Sequence, residues 1–343
     1  MNVRALFSTL GTRSYSLPIV ILYVTSGCNL KCVMCSYRDP HPNELSLAEI
    51  RDLAEDLRAL GLRHIVYSGG EPLVRKDFPE IVRCFSGLQV RQTILTNGLL
   101  LEKRMREVDG FFDEVIVSID GPNPLIHNSI RGVEAFEQIV KGLRSLLSIR
   151  FRPRVSIRTV VQRSNFRHLG RMIDWARDLG VDRISFLSAD THSGAFHRDS
   201  EGQVPAKDRI LLNREEAIEF RSIMTELLTS HRPEFESSFV SENASKMFHL
   251  VEYFEAVNGL APFPPNRCNA PSVSAVITSS GDLLPCYFLP SYGNVRSGSL
   301  SGQLNGDDIR RTRRDVRSLK LDQCQKCVCT LRVSPAAALA DRF

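Results

Sequence analysis

The sequence predicts an α/β protein built on a parallel sheet, and two observations carry that expectation. Six short, nearly all-apolar runs are each followed by an amphipathic helical stretch, and the unusual residues fall directly after the runs. Runs that stay apolar instead of alternating belong to strands buried on both faces. Right-handed crossovers between parallel strands curl such a sheet into a partial or complete barrel, or open it into a doubly wound sheet. In each case functional residues gather at the C-terminal strand ends.

The first run is Ile19–Val24. Ser46 and Glu49 then form a capping box, each side chain satisfying a free N–H at the start of a helix. Leu47, Ile50, Leu53, Ala54, Leu57 and Leu60 recur at helical spacing, and Gly61 supplies the stop. Further strands are expected at Ile65–Tyr67, Gln92–Leu95, Val115–Ile119, Val155–Val161 and Ile184–Leu187. Helices are expected at about Pro79–Phe85, Leu100–Val108, Glu134–Leu147 and Phe166–Leu179. The pattern changes after Asp190. Helices at Arg214–Ser230 and Glu242–Val257 precede the Pro-rich connector Ala261–Pro265, and a hairpin follows from Val273 to Phe288, turning at Ser279–Asp282. The expected division is an N-terminal arm (1–18), a barrel (19–189), a helical and loop connector that a substrate could touch (190–265) and a small C-terminal module (266–343).

Composition bounds the function. With 343 residues, 43% hydrophobic and 24% charged, the chain reads as globular and long enough for a large core. No run approaches the roughly 18 apolar residues of a membrane helix. The first residues lack the apolar block of a secretion signal, so a cytoplasmic location is expected. A net charge of +5 without a long basic block argues against nucleic acid. The one dense run, Arg310, Arg311, Arg313, Arg314 and Arg317, reads as an exposed helix face.

The nine cysteines fall into two groups, with Cys84 alone inside an expected helix as an apolar core residue. Without a secretory context, clustered cysteines are metal or iron–sulfur ligands more often than disulfides. Cys28-x-x-x-Cys32-x-x-Cys35 follows the first strand and offers three thiolates, one short of a closed zinc or iron–sulfur site. Either a distant fourth residue completes a zinc site, or a four-iron cluster keeps one iron open for an outside ligand. Gly69-Gly70-Glu71-Pro72 follows the second strand, Asn97 the third, and Ser118 and Asp120 end the fourth. Four unusual loops on one rim describe a site.

Cys28-x-x-x-Cys32-x-x-Cys35 together with Gly69-Gly70-Glu71-Pro72 resembles the radical S-adenosylmethionine superfamily. The resemblance spans about Ile19 to Ser188. It implies a partial (β/α)6, TIM-like barrel and a [4Fe–4S] cluster whose open iron chelates S-adenosylmethionine. Reductive cleavage then yields a 5′-deoxyadenosyl radical that abstracts a substrate hydrogen. Met34 stands where the family usually has an aromatic residue, and it can pack near the adenine. By the resemblance, Gly69, Gly70 and the Glu71 carboxylate receive the methionine ammonium, and Asn97 joins the cofactor-binding rim. Ser118 and Asp120 contact the ribose, His127 and Arg131 line the substrate side, and Arg158 pairs with the methionine carboxylate. Asn165 reads as a helix cap. His192 and His197 lie in a loop that a substrate could reach, and Trp175 packs in a helix.

Cys268 and Cys286 are separated by 17 residues, and Cys324-x-x-Cys327 completes four thiolates. This resembles the short twitch version of the superfamily's auxiliary-cluster modules more than the longer SPASM version. It implies a second [4Fe–4S] cluster on those four cysteines, with Cys329 replacing one or standing free. A zinc ribbon has the same spacing. The layout resembles that of alcohol-oxidising dehydrogenases of aminoglycoside biosynthesis. The expected function is oxidation or rearrangement of a small molecule, a natural-product or sugar-like intermediate, with the auxiliary cluster handling electrons and a flavodoxin or ferredoxin as reductant. A peptide maturase of the same superfamily is the alternative, although only 27 residues precede Cys28, too few for a leader-binding domain. A non-catalytic zinc or iron–sulfur binding protein is the alternative of another class, and RNA modification is a weaker one.

Overall fold

The structure, a computed structural model, describes residues 2–108, 110–196 and 207–343. Helix α1 (Val3–Leu10) leads into β1 (Ile19–Thr25), every residue of which is buried. The repeating units follow: α2 (Leu47–Ala59), β2 (His64–Gly69), α3 (Phe78–Ser86), β3 (Arg91–Thr96), α4 (Leu101–Arg104), β4 (Glu114–Ser118), α5 (Pro124–Arg131), α6 (Phe136–Leu147), β5 (Arg154–Val161), α7 (Leu169–Leu179) and β6 (Arg183–Ser188). Helices α8 (Lys207–Ile210), α9 (Arg214–Ser230), α10 (Arg232–Glu236) and α11 (Ala244–Val257) form the connector. After α12 (Ala270–Val273) come β7 (Ser274–Ile277), β8 (Asp282–Leu284) and β9 (Gly293–Asn294). The last helices are α13 (Leu300–Gln303), α14 (Asp307–Arg317), α15 (Asp322–Gln325) and α16 (Pro335–Leu339).

The strands form one open sheet in the order β6-β5-β4-β3-β2-β1-β7-β8-β9. The six expected strands are present and pair in parallel with their sequence neighbours. One feature differs from the expectation. The C-terminal hairpin is fused to the barrel: β7 pairs in parallel with β1, from Ile19 opposite Ser274 to Leu22 opposite Ile277. An edge strand made of Ile, Val, Leu and Tyr up to its last residue, Thr25, would expose apolar surface and unpaired backbone groups, and β7 removes both.

Local signals explain the helices. The Ser46 capping box forms as expected, and α2 buries Ile50, Leu53, Ala54 and Leu57 against the sheet. Each fully buried Leu or Ile contributes about 1.5–3 kcal/mol. Asn123 caps α5 by accepting from Ile126 N–H at 3.1 Å. Two of the arginines expected on an exposed face are engaged instead. Arg313, on α14, is 1% exposed and donates to the carbonyls of Pro271, Thr12 and Leu304 at 2.7–2.9 Å. Arg317 donates to the carbonyls of Thr9, Leu10 and Gly11 at 2.6–3.0 Å. A cation there satisfies the orphan carbonyls at the C-terminal end of α1 and complements its dipole. Cys84 is half-buried in α3. Trp175 packs in α7 at 5.6 Å from the Phe136 ring. Among the described residues no helix is long and apolar enough to cross a membrane.

Candidate functional site

The C-terminal ends of all six barrel strands meet at one cavity of about 240 Å³. Tyr23, Ser68 and Gly69, Leu95 and Thr96, Ser118, Arg158 and Val160, and Leu187 and Ser188 come to it strand by strand. A sheet whose strand ends face one space is curled, so the expected partial barrel is observed. Cys28, Cys32 and Cys35 line the same cavity, with Met34 beside them.

Backbone bonds hold the cysteine loop. Lys31 N–H donates to the Arg131 carbonyl at 3.1 Å and Val33 N–H to the Ile130 carbonyl at 3.0 Å, which fastens the loop to the end of α5. Gly132 makes this contact possible: its φ is +74°, and a Cβ there would lie 2.1 Å from the Lys31 carbonyl oxygen. Cys28 N–H donates to the Arg38 carbonyl at 2.9 Å, closing the loop. Two donors reach the sulfurs at 3.9 Å: Asn97 Nδ2 to Cys28 and Arg131 Nη1 to Cys32. Asn97 Nδ2 also donates to Asn29 Oδ1 at 2.7 Å. Burial pushes the Cys28 thiol pKa up, and that of Cys35 to about 11. A metal would displace those protons on binding.

Several rim residues sit differently from the expectation. The glycines of Gly69-Gly70-Glu71 are required by the chain itself: a Cβ on Gly69 would lie 2.2 Å from the Thr25 carbonyl oxygen, and one on Gly70 2.2 Å from that of Gly27. Both glycines still line the cavity. The Glu71 carboxylate turns away from it. Fully buried, Glu71 accepts from Leu73 N–H at 3.0 Å, Thr96 Oγ1 at 2.7 Å and Asn97 N–H at 2.6 Å. Burial pushes its pKa up to about 7, against the pull of those donors. Its carboxylate thus holds Asn97 and is spent on backbone. Ser118 faces the cavity. Asp120 does not: it is fully buried, accepts from Val160 N–H at 2.8 Å and pairs with Arg131 Nε at 2.7 Å. The strand ends at Ser118, so the alternation expected to carry Asp120 to the same side is lost. Burial disfavours the charge on Arg131, but Asp120 and the Cys32 sulfur more than offset that and raise its pKa.

His127 is also fully buried, accepting from Asp120 N–H through Nδ1 at 3.3 Å, and lies off the substrate side. Asn165 does not cap a helix; it ties the loop after β5 to β4 through the Asp120 and Val160 carbonyls at 3.0 and 2.9 Å. His192 packs against Tyr253 and Phe263, and His197 lies outside the described residues. Arg158 does line the cavity. Among the described residues its Nε, like Ser188 Oγ, is buried without a hydrogen-bond partner. Unsatisfied polar atoms at a cavity wall suit a polar ligand.

The second thiol group surrounds a cavity of about 30 Å³ lined by Cys268, Cys286, Cys324, Cys327 and Cys329. Asn266 assembles it, donating to the carbonyls of Cys324, Gln325 and Cys327 at 3.0–3.3 Å. Burial pushes the Cys286 thiol pKa up to about 12 and that of Cys324 to about 11. Among the described residues no three His, Cys, Asp or Glu side chains are grouped for a single metal ion. The five thiols around the smaller cavity and the three on the larger one are soft donor sets of the kind that hold iron–sulfur clusters or zinc. Phe288 and Cys329 line both cavities. The spacing of the sequence did not reveal this shared wall. Nor did it reveal Tyr23, Tyr37 and Tyr287 on the larger cavity, although Tyr37 and Tyr287 closely follow Cys35 and Cys286.

Comparison with known proteins agrees with this geometry. Residues 22–176 match the family model of the radical SAM superfamily, and residues 268–328 match that of the SPASM iron–sulfur cluster-binding domain. The pre-heme d1 synthase of Dinoroseobacter shibae is 29% identical over 332 residues, which are 90% of this chain and 79% of the relative. An AdoMet-dependent heme synthase of Oleidesulfovibrio alaskensis is 31% identical over 181 residues, covering 50% of this chain and less than half (46%) of the relative. Streptococcus suis SuiB, solved with its precursor peptide SuiA, superposes with a TM-score of 0.64 at 15% identity, over 98% of this chain and 75% of that one. That last likeness concerns the fold.

Proposed function

The chain belongs to the radical SAM superfamily and carries a C-terminal iron–sulfur module, and from that premise we propose that it oxidises or rearranges a small molecule at the mouth of its barrel. Its cofactors are S-adenosylmethionine and two [4Fe–4S] clusters. Cys28, Cys32 and Cys35 would hold the first cluster, and Cys268, Cys286, Cys324 and Cys327 the second. When bound, the first cluster and S-adenosylmethionine supply one-electron reductive cleavage and, with it, hydrogen-atom abstraction from an unactivated C–H bond.

The residues of the chain do the rest. Gly69 and Gly70 would present strand-end backbone to the methionine ammonium, Ser118 would face the ribose, and Arg158, whose Nε has no hydrogen-bond partner among the described residues, would meet the carboxylate. Asn97 donates toward the Cys28 sulfur, which favours its charged form, and Arg131 donates toward the Cys32 sulfur. The wall of Phe288 and Cys329 carries the reading, because it sets the second thiol group directly behind the cavity where a substrate would react. A substrate that loses a hydrogen atom must then lose or accept an electron, and a closed cluster behind that wall could exchange it. The pre-heme d1 synthase, a relative matched over most of both chains, favours a small-molecule substrate over a peptide. The electron for cleavage would come from a one-electron reductant such as flavodoxin or ferredoxin.

Anaerobic reconstitution tests the reading. About eight irons should load per chain, and S-adenosylmethionine with dithionite should yield 5′-deoxyadenosine. Four irons with one zinc would defeat the second-cluster assignment, and no cleavage would leave a metal-binding protein instead.

A further inference from the structure

Three tyrosines from separate parts of the chain meet between the two thiol groups. Tyr37 stands two residues after Cys35, Tyr23 is on β1, and Tyr287 directly follows Cys286. The Tyr37 and Tyr23 rings meet edge to face, with centroids 6.2 Å apart at 86°. Tyr23 and Tyr287 stack, with centroids 6.3 Å apart at 30°. Tyr23 and Tyr37 are each 9% exposed, and the apolar cluster they belong to has Cys28, Cys35 and Tyr287 packed against it. Tyr23 lies within electrostatic reach of both Cys35 and Cys286. Three of the chain's seven tyrosines stand in this one contact line, which runs from the neighbourhood of Cys35 to that of Cys286. Position 23 is otherwise an aliphatic site: Ile, Val and Leu fill the rest of the apolar run, and a ring is not needed to build the strand.

We propose that Tyr37, Tyr23 and Tyr287 form the path by which an electron passes between the two iron–sulfur clusters. The inference rests on reading both thiol groups as cluster sites. Tunnelling falls steeply across gaps between atoms, and contacting rings shorten those gaps more than aliphatic side chains do. The step is a single electron transfer: the reduced cluster loses one electron and the oxidised one gains it. No bond forms or breaks, and no proton moves. The rings therefore carry the coupling without being oxidised, and the hydroxyls are not required.

The experiment compares wild type, Tyr23→Leu and Tyr23→Phe, each reconstituted anaerobically with iron and sulfide. Iron content and the EPR signals of both clusters establish loading, and added S-adenosylmethionine identifies the first cluster by perturbing its signal alone. A photochemical one-electron reductant is then flashed at sub-stoichiometric level, and freeze-quenched samples follow redistribution between the signals. Tyr23→Leu should load both clusters yet equilibrate slower by an order of magnitude, whereas Tyr23→Phe should stay close to wild type. Wild-type speed in Tyr23→Leu overturns the path. So does a Tyr23→Phe variant as slow as Tyr23→Leu, because the hydroxyl would then matter. Should Tyr23→Leu fail to load, Tyr287→Leu interrupts the same line next to Cys286 and is read identically. If wild type loads only one cluster, iron content reports it before any kinetics, and the functional reading fails first.

Discussion

The two thiol groups are built in opposite ways. Cys28, Cys32 and Cys35 come from one loop of eight consecutive residues, fastened by backbone hydrogen bonds to the end of α5 and set at the end of a fully buried strand. The five C-terminal cysteines come from segments spread over residues 268–329, with short β8 and β9 between them, and one asparagine side chain gathers the Cys-x-x-Cys turn. The first arrangement is local and inherits the rigidity of the sheet; the second is assembled at a distance. Three thiols in a local loop are one short of closing a four-iron shell, while the gathered set has thiols enough to close one.

Variants can break this contrast, beginning with the strongest effect. Cys32→Ala should abolish 5′-deoxyadenosine release and about halve the iron content, whereas Cys327→Ala should lose the other half yet still cleave S-adenosylmethionine. Equal cleavage by both variants, measured by chromatography with an iron assay, would erase the functional division between the groups. Next comes the anchor of the first loop. Arg131→Leu strands the buried Asp120 carboxylate without its partner, and should cost about 3–5 kcal/mol in urea unfolding of the metal-free protein. A much smaller cost would mean that Asp120 is not held as an ion.

The scaffold beneath both groups can be tested separately at His64, at the opposite end of β2 from Gly69. Burial lowers its pKa from 6.5 to about 4, with nearby Arg91 adding to the effect. Neutral in the fold, it gains a proton more readily when unfolded, so its contribution to stability is present near pH 7 and shrinks as pH falls from 6.5 toward 4. Between pH 7 and 5 that loss is about 2 kcal/mol. His64→Gln should flatten the pH dependence of unfolding by that amount and leave iron loading intact. The smallest effect is expected at Arg317, whose bonds to the carbonyls closing α1 are exposed. Arg317→Ala should cost about 1 kcal/mol and touch neither cluster.

Much of the fold was legible in the sequence because strand burial, helix periodicity and capping are written in neighbouring residues. Ser46 with Glu49 formed its capping box, and the six apolar runs became the six barrel strands in order. The cysteine groups were legible from spacing. The rim was read less well. Asp120, Glu71 and His127 are residue types that bind ligands, and each turned inward to satisfy backbone or an ion pair. A type and a position along a strand do not say which way a side chain leaves the strand end once the backbone stops alternating. Likewise, two arginines of a charged run found backbone carbonyls from the far end of the chain.

By itself the sequence determined a parallel sheet carrying three thiols on its rim and four more in the C-terminal segment, because hydrophobic period and ligand spacing are short-range properties. Only the tertiary structure decided that β7 would seal the open side of β1, that Cys329 and Phe288 would stand between two cavities, and that three tyrosines would touch. The pairing of β7 with β1 and the contact of Tyr287 with Tyr23 join segments hundreds of residues apart, and they depend on how the sheet curls and what packs against its edge.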